Sequence, residues 1–161
     1  MKLKTLIAAV LLPAALLTGC SSDSGAGTPA ADVDPSEIVN AVLAEIPITS
    51  GIEKNKDDIP DFYADIDASQ VESASFAICA SGAYPDEIAV MKCADSSAAA
   101  SVKAAFEKRL ASQSELFSTY TPDEMYKLDT ATVYTAGNYA VFIALSDNDR
   151  AKEIVDGKLS G

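Results

Sequence analysis

The longest regular run of apolar positions lies between Ser97 and Tyr120. At about 100° per residue, Ala98, Val102, Phe106, Leu116, Phe117 and Tyr120 fall on one stripe, with Lys103, Glu107, Ser114 and Ser118 opposite. Asp95, Ser96 and Ser97 can cap the start of this helix, and Thr121-Pro122 ends it because proline cannot continue the hydrogen-bond ladder. Upstream, Ile38, Val42 and Ile46 recur at helical spacing, and Val39 and Leu43 widen the face. Asp34 reads as the N-cap, Pro35 as the first helical residue and Glu37 as the partner in a capping box, while Pro47 stops the helix. Elsewhere the period changes to two. Phe76, Ile78 and Ala80 alternate with Ala77, Cys79 and Ser81, and after the turn-rich stretch Gly82 to Glu87, Ile88 and Val90 alternate with Ala89, Met91 and Cys93. A second hairpin is predicted from Thr132–Thr135 and Tyr139–Leu145, joined at Gly137-Asn138. On its second strand Tyr139, Val141, Ile143 and Leu145 point one way and Phe142 the other. Thr121-Pro122-Asp123-Glu124 opens a short helix to about Leu128. Asp147 starts a terminal helix that turns Ala151, Ile154 and Val155 inward and ends near Gly157.

The order α-ββ-α-α-ββ-α predicts an α+β fold, an antiparallel sheet of two hairpins packed with helices, in one domain over residues 34–158. Several strands are apolar on both faces, so either helices cover both sides or one face is a contact surface. The small residues Ala77, Ala89 and Ala140 favour close helix packing. Residues 48–72 read as a solvated acidic loop, with Asp57, Asp58, Asp61, Asp65 and Asp67 exposed and Ile59, Phe62, Tyr63 and Ile66 as anchors. The segment lacks the bend-forming glycine and ligand spacing of a calcium loop, so no metal site is expected.

The first 33 residues follow a different logic. Lys2 and Lys4 precede an apolar run, Leu6 to Leu17, too short to span a bilayer. It ends Leu17-Thr18-Gly19-Cys20, which resembles the bacterial lipobox. That resemblance implies a lipoprotein signal peptide over residues 1–19, cleavage before Cys20 and a diacylglyceryl group on its sulfur. The alternative is a plain secretory signal with a chance cysteine. Residues 20–33 would then be the lipidated cysteine and a flexible tether rich in Ser, Gly and Pro. The expected location is the outer, extracytoplasmic face of the cell membrane, with the lipid anchor as the membrane contact.

Charge and composition narrow the function classes. A net charge of −12 without a basic stripe argues against a nucleic-acid partner and against adhesion to anionic lipid headgroups. The absence of histidine removes Ser-His and Cys-His nucleophile pairs and imidazole zinc ligands. There is no Walker loop and no Gly-x-Gly-x-x-Gly, and no cofactor is expected apart from the diacylglyceryl modification. The favoured reading is a non-catalytic binding or accessory module of the cell envelope that contacts an envelope protein or small ligand. The alternative is a carboxylate-dependent envelope hydrolase, since adjacent carboxylates occur at Asp57/Asp58 and Asp86/Glu87.

Two constellations stand out. Arg109 and Gln113 break the apolar stripe of the long helix, one turn apart. Either Arg109 makes an internal salt bridge, with Asp86, Glu87 or Asp129 as candidates, or its stem packs while its head reaches solvent, or it clamps a ligand carboxylate with Gln113 and Tyr120 assisting. Cys79 and Cys93 lie on strands expected to pair, in the same alternation set, and are either a disulfide or two buried thiols.

Several of these stretches occur together in a recognisable pattern. The lipobox, Asp86-Glu87-Ile88-Ala89-Val90, the run Arg109-x3-Gln113-x3-Phe117-x2-Tyr120-x-Pro122, and Gly137-Asn138-Tyr139 resemble a family of Gram-positive bacterial lipoproteins known only as a domain of unknown function. The resemblance covers most of residues 35–156. It implies an exported, lipid-anchored domain and supplies no activity, substrate or catalytic residue. Cys79 and Cys93 fall outside its pattern.

Overall fold

Five strands form a single antiparallel sheet, seen in a computed structural model that describes residues 30–161. The expected signal peptide over residues 1–19 and the expected lipidation site Cys20 lie outside the described residues. The strands are β1 (Gly51–Asn55), β2 (Val71–Cys79), β3 (Glu87–Cys93), β4 (Thr132–Ala136) and β5 (Tyr139–Ala144), ordered β1-β2-β3-β5-β4. The helices are α1 (Pro35–Glu45), α2 (Ile59–Phe62), α3 (Ser96–Tyr120), α4 (Met125–Asp129) and α5 (Asn148–Ser160). The α+β fold predicted from the sequence is therefore present.

Helices cover both faces of the sheet, as the doubly apolar strands require. On one face Phe76, Ala89, Met91, Ala140 and Phe142 pack against α3 and the segment around α2. Phe106 of α3 sits centrally, its ring 5.5 Å from Tyr63 and 5.8 Å from Phe142. On the other face Ala77, Ile88, Val90, Val141 and Ile143 pack against Ile38, Val39 and Val42 of α1 and Ala151 and Val155 of α5.

Four details differ from the sequence-based expectation. The segment 48–72 is not merely a loop, because it contributes the edge strand β1, paired with β2 from Gly51↔Cys79 to Asn55↔Ser75. Its apolar anchors do pack, and Ile59, Tyr63 and Ile66 are buried. β1 was hard to see because its sequence, Gly-Ile-Glu-Lys-Asn, has one large apolar residue and only one bonded neighbour strand. Second, at α1 the Asp34 carboxylate accepts from the Ser36 N–H, without the Glu37 reach-back of a capping box.

Third, the apolar stripe of α3 is buried only in part. Leu116 is 60% and Tyr120 is 68% exposed, while Phe117 is buried. A 25-residue helix is about 37 Å long, against about 20–24 Å for the six or seven residues of β5 and β3. The last turns of α3 therefore overhang the sheet. Fourth, the stretch assigned to the tether is partly folded. Ala30 and Val33 pack on the core, the Ala31 N–H donates to the Leu159 carbonyl at 2.8 Å, and Val33 is held at both backbone groups by the Tyr139 hydroxyl. The packed chain thus includes residues 30–33, ahead of the expected domain start at Asp34.

Candidate functional site

A buried polar cluster forms where β3 begins. Glu87 shares its sheet face with Ala89 and Met91, so its side chain runs towards α3. It is 1% exposed. Arg109 and Gln113 lie one turn apart on α3 and both reach it. Arg109 Nε donates to Glu87 Oε1 at 2.7 Å and Oε2 at 2.9 Å, and Gln113 Nε2 donates to Oε2 at 2.7 Å. Tyr63, just past α2, donates its hydroxyl to Oε1 at 2.6 Å. Arg109 also donates Nη1 to the Phe62 carbonyl at 3.2 Å, and its guanidinium stacks 4.8 Å from the Tyr63 ring centre.

The electrostatics follow from burial and pairing. Burial alone would depress Arg109, but the hydrogen bond and charge of Glu87 more than offset it, so its pKa is raised and the cation is retained. Burial first, then the adjacent Glu87 charge, pushes the Tyr63 phenol well above its ordinary value. Glu87 is held by three donor side chains. The Gln113 amide, committed through its nitrogen to Glu87, leaves Oε1 buried without a donor.

Arg109 therefore makes an internal salt bridge, with Glu87 and not with Asp86 or Asp129. Asp86 pairs instead with Lys127 of α4 at 2.7 Å, and Lys127 also meets Glu124 at 2.7 Å. Tyr120 does not join the cluster, because it projects from the overhanging end of α3. Tyr63 is the member the sequence did not reveal. It read as an apolar anchor in an acidic stretch, and nothing local links it to a carboxylate 24 residues away.

The disulfide is not formed. Cys79 and Cys93 are both free thiols. The β2/β3 register pairs Val71 with Cys93 and Ile78 with Glu87, so the cysteines sit at opposite ends of the hairpin and in different cores. The expected alternation set was offset by one residue across the turn. Burial drives the Cys93 thiol up to about 11.

Two grooves flank the cluster. One, of about 370 Å³, is lined by Phe62, Ile66, Ala105, Lys108, Arg109 and Leu116. The other, of about 270 Å³, is lined by Tyr84, Pro85, Glu87, Arg109, Leu116 and Phe117. Arg109, Gln113 and Leu116 form the ridge between them. Among the described residues, the large apolar side chains that are exposed are Tyr84, Leu116, Tyr120 and Tyr126. All four lie at this end of the molecule, with Tyr84 and Tyr126 on either side of Lys127. Among the described residues, no group of three or more Cys, Asp or Glu is placed to hold a metal ion.

The sequence model of the family described as "Domain of unknown function (DUF4358)" matches residues 48–145. The chain belongs to this family. No curated protein and no solved structure matches it. The DUF4358 match runs from just before β1 to just after β5, so it holds the whole sheet, α3 and the Glu87–Arg109–Gln113–Tyr63 cluster. It leaves out α1, α5 and the arm at Ala30–Val33, which together cover the opposite face. The match is thus narrower than the span of 35–156 expected from sequence motifs.

Proposed function

We propose that this chain is a lipoprotein of a Gram-positive cell envelope, anchored through a diacylglyceryl group on Cys20, and that its DUF4358 domain is a non-catalytic module that docks an envelope protein. The lipobox and its leader support the anchor. Among the described residues no helix is long and apolar enough to cross a membrane. The observation that carries the docking role is the gathering of Tyr84, Leu116, Tyr120 and Tyr126 at one end, beside two grooves. Tyrosine-rich apolar anchors around concave, partly polar ground are characteristic of protein interfaces. The larger groove carries Lys108, paired with Asp65 at 3.7 Å, and Arg109, held by Glu87, so its polar ground is balanced in charge. The partner that fits is a protein segment with apolar side chains on both sides of Leu116.

A photo-crosslinking residue at Glu115, compared with one at Glu153 on α5, tests the docking role in intact cells. A discrete adduct from position 115 that disappears with Leu116→Asp supports it, and equal adducts or none from the two positions overturn it. Replacing Cys20 with Ala should abolish lipid labelling; continued labelling and membrane retention would overturn the anchor. Turnover of an envelope glycan or peptide that is lost with Asp86→Asn would favour a hydrolase instead.

A further inference from the structure

The way the chain enters the domain fixes which end can face the membrane. The arm Ala30–Val33 is latched at the β4–β5 turn end. Tyr139 is 1% exposed, and its hydroxyl accepts from the Val33 N–H at 3.0 Å and donates to the Val33 carbonyl at 2.8 Å. Asp32 pairs with Lys92 at 2.9 Å. Ala30 lies so close to Gly137, itself at φ 58°, that a Cβ there would come within 3.2 Å of the Ala30 nitrogen.

The cluster and the exposed aromatics are at the other end. Lys92 is opposite Tyr139 in the β3/β5 ladder, whereas Glu87 is opposite Ala144. α3 starts beside the latch, because Cys93 is bonded to Asn138 and Asp95 caps the helix. It reaches Glu87 at Arg109, about 20 Å along, and runs about 16 Å further to Tyr120. The ten residue steps from Cys20 to Ala30 span at most about 36 Å. Bringing the aromatic end to the lipid would demand complete extension of that stretch back along the domain.

We infer that the latched arm stands the DUF4358 domain on the membrane by its β4–β5 turn, and holds the Tyr84–Leu116–Tyr120–Tyr126 end outward, where it meets an extracytoplasmic protein and not lipid. This rests on the anchor at Cys20 proposed above. It explains how a short connection serves a docking module, since the docking end is carried about one domain length from the bilayer.

The test uses full-length lipidated protein in phosphatidylcholine vesicles containing headgroup-nitroxide lipid, a contact-range quencher. Single fluorophores are attached at Ser160→Cys or Ser118→Cys, with wild type reporting any background from the buried Cys79 and Cys93. Flotation with the vesicles is measured first. If wild type fails to float, the anchor is refuted and the orientation with it. In floating protein the Ser160→Cys label is expected to be quenched at least threefold more than the Ser118→Cys label. Inserting twenty Gly/Ser residues after Gly25 should shrink that difference. Equal quenching at the two sites, or stronger quenching at Ser118→Cys, overturns the orientation while leaving the anchor standing.

Discussion

Removing the Arg109 side chain separates a structural salt bridge from a waiting ligand clamp. In Arg109→Ala, the buried Glu87 carboxylate keeps the Tyr63 and Gln113 donors but loses its cation and both Nε bonds. Breaking a buried pair from one side costs about 3–5 kcal/mol. Two surviving donors and a groove that admits water place this site near the lower end, about 3 kcal/mol, to which the lost guanidinium stacking on Tyr63 adds about 0.5–1 kcal/mol. The reverse deletion should be milder. Glu87→Gln strands an arginine that is 27% exposed and can hydrate through the groove, for a cost of about 1–2 kcal/mol. The two changes share one interaction, so the double variant should show a coupling energy of about 1–2 kcal/mol. The apolar pair Arg109→Met with Glu87→Leu should recover most of the loss, because it leaves no uncompensated charge. Urea melts of residues 21–161 measure all four variants. An Arg109→Ala domain within about 0.5 kcal/mol of wild type would refute the structural role and restore a ligand clamp.

Other consequences follow from the same contacts. Phe106→Ala opens the centre of the larger core between Tyr63 and Phe142 and should cost about 3–5 kcal/mol by urea melt; a loss under 1 kcal/mol would mean the core refills. Tyr63 and Cys93 hold their protons to higher pH in the folded state than in the unfolded chain, so their stabilisation is complete below about pH 9 and is lost as pH rises through the folded values. The urea midpoint should fall between pH 9 and 10.5, less steeply in Tyr63→Phe, and a flat profile would contradict the burial assigned to these groups. Thiol titration of residues 21–161 should find two thiols that react only on unfolding, and a reading of none would contradict the strand register. Tyr139→Phe keeps the buried ring but loses both bonds to Val33, at about 1–2 kcal/mol. Hydrogen exchange at Ala31 and Val33 should then rise to the rate of an open chain, and unchanged protection would mean the latch lies elsewhere.

What could be read from the sequence was whatever short-range spacing encodes. The four- and two-residue periods around Ile38, Phe106, Ile88 and Val141 gave four of the five strands, four of the five helices and an antiparallel sheet, because each apolar face must be buried against a neighbour. Arg109 and Gln113 stood out for a similar reason, as polar residues inside an apolar stripe. The sequence also supplies the whole basis for expecting a lipid on Cys20. The tertiary structure decided what depends on register and length. Strand register put Cys79 and Cys93 on opposite faces, since a one-residue offset exchanges the faces of a strand, and the pairing of Val71 with Cys93 put them at opposite ends of the hairpin. The mismatch between a long helix and short strands exposed Leu116 and Tyr120 although they belong to the apolar stripe. The choice of Glu87 over Asp86 came from alternation at the start of β3, which turns adjacent carboxylates towards Arg109 and Lys127 respectively. Tyr63, Gly137 and the arm at Val33 acquire their roles only when the folded chain brings together residues as far apart as 106 positions, and no local pattern can encode such a meeting.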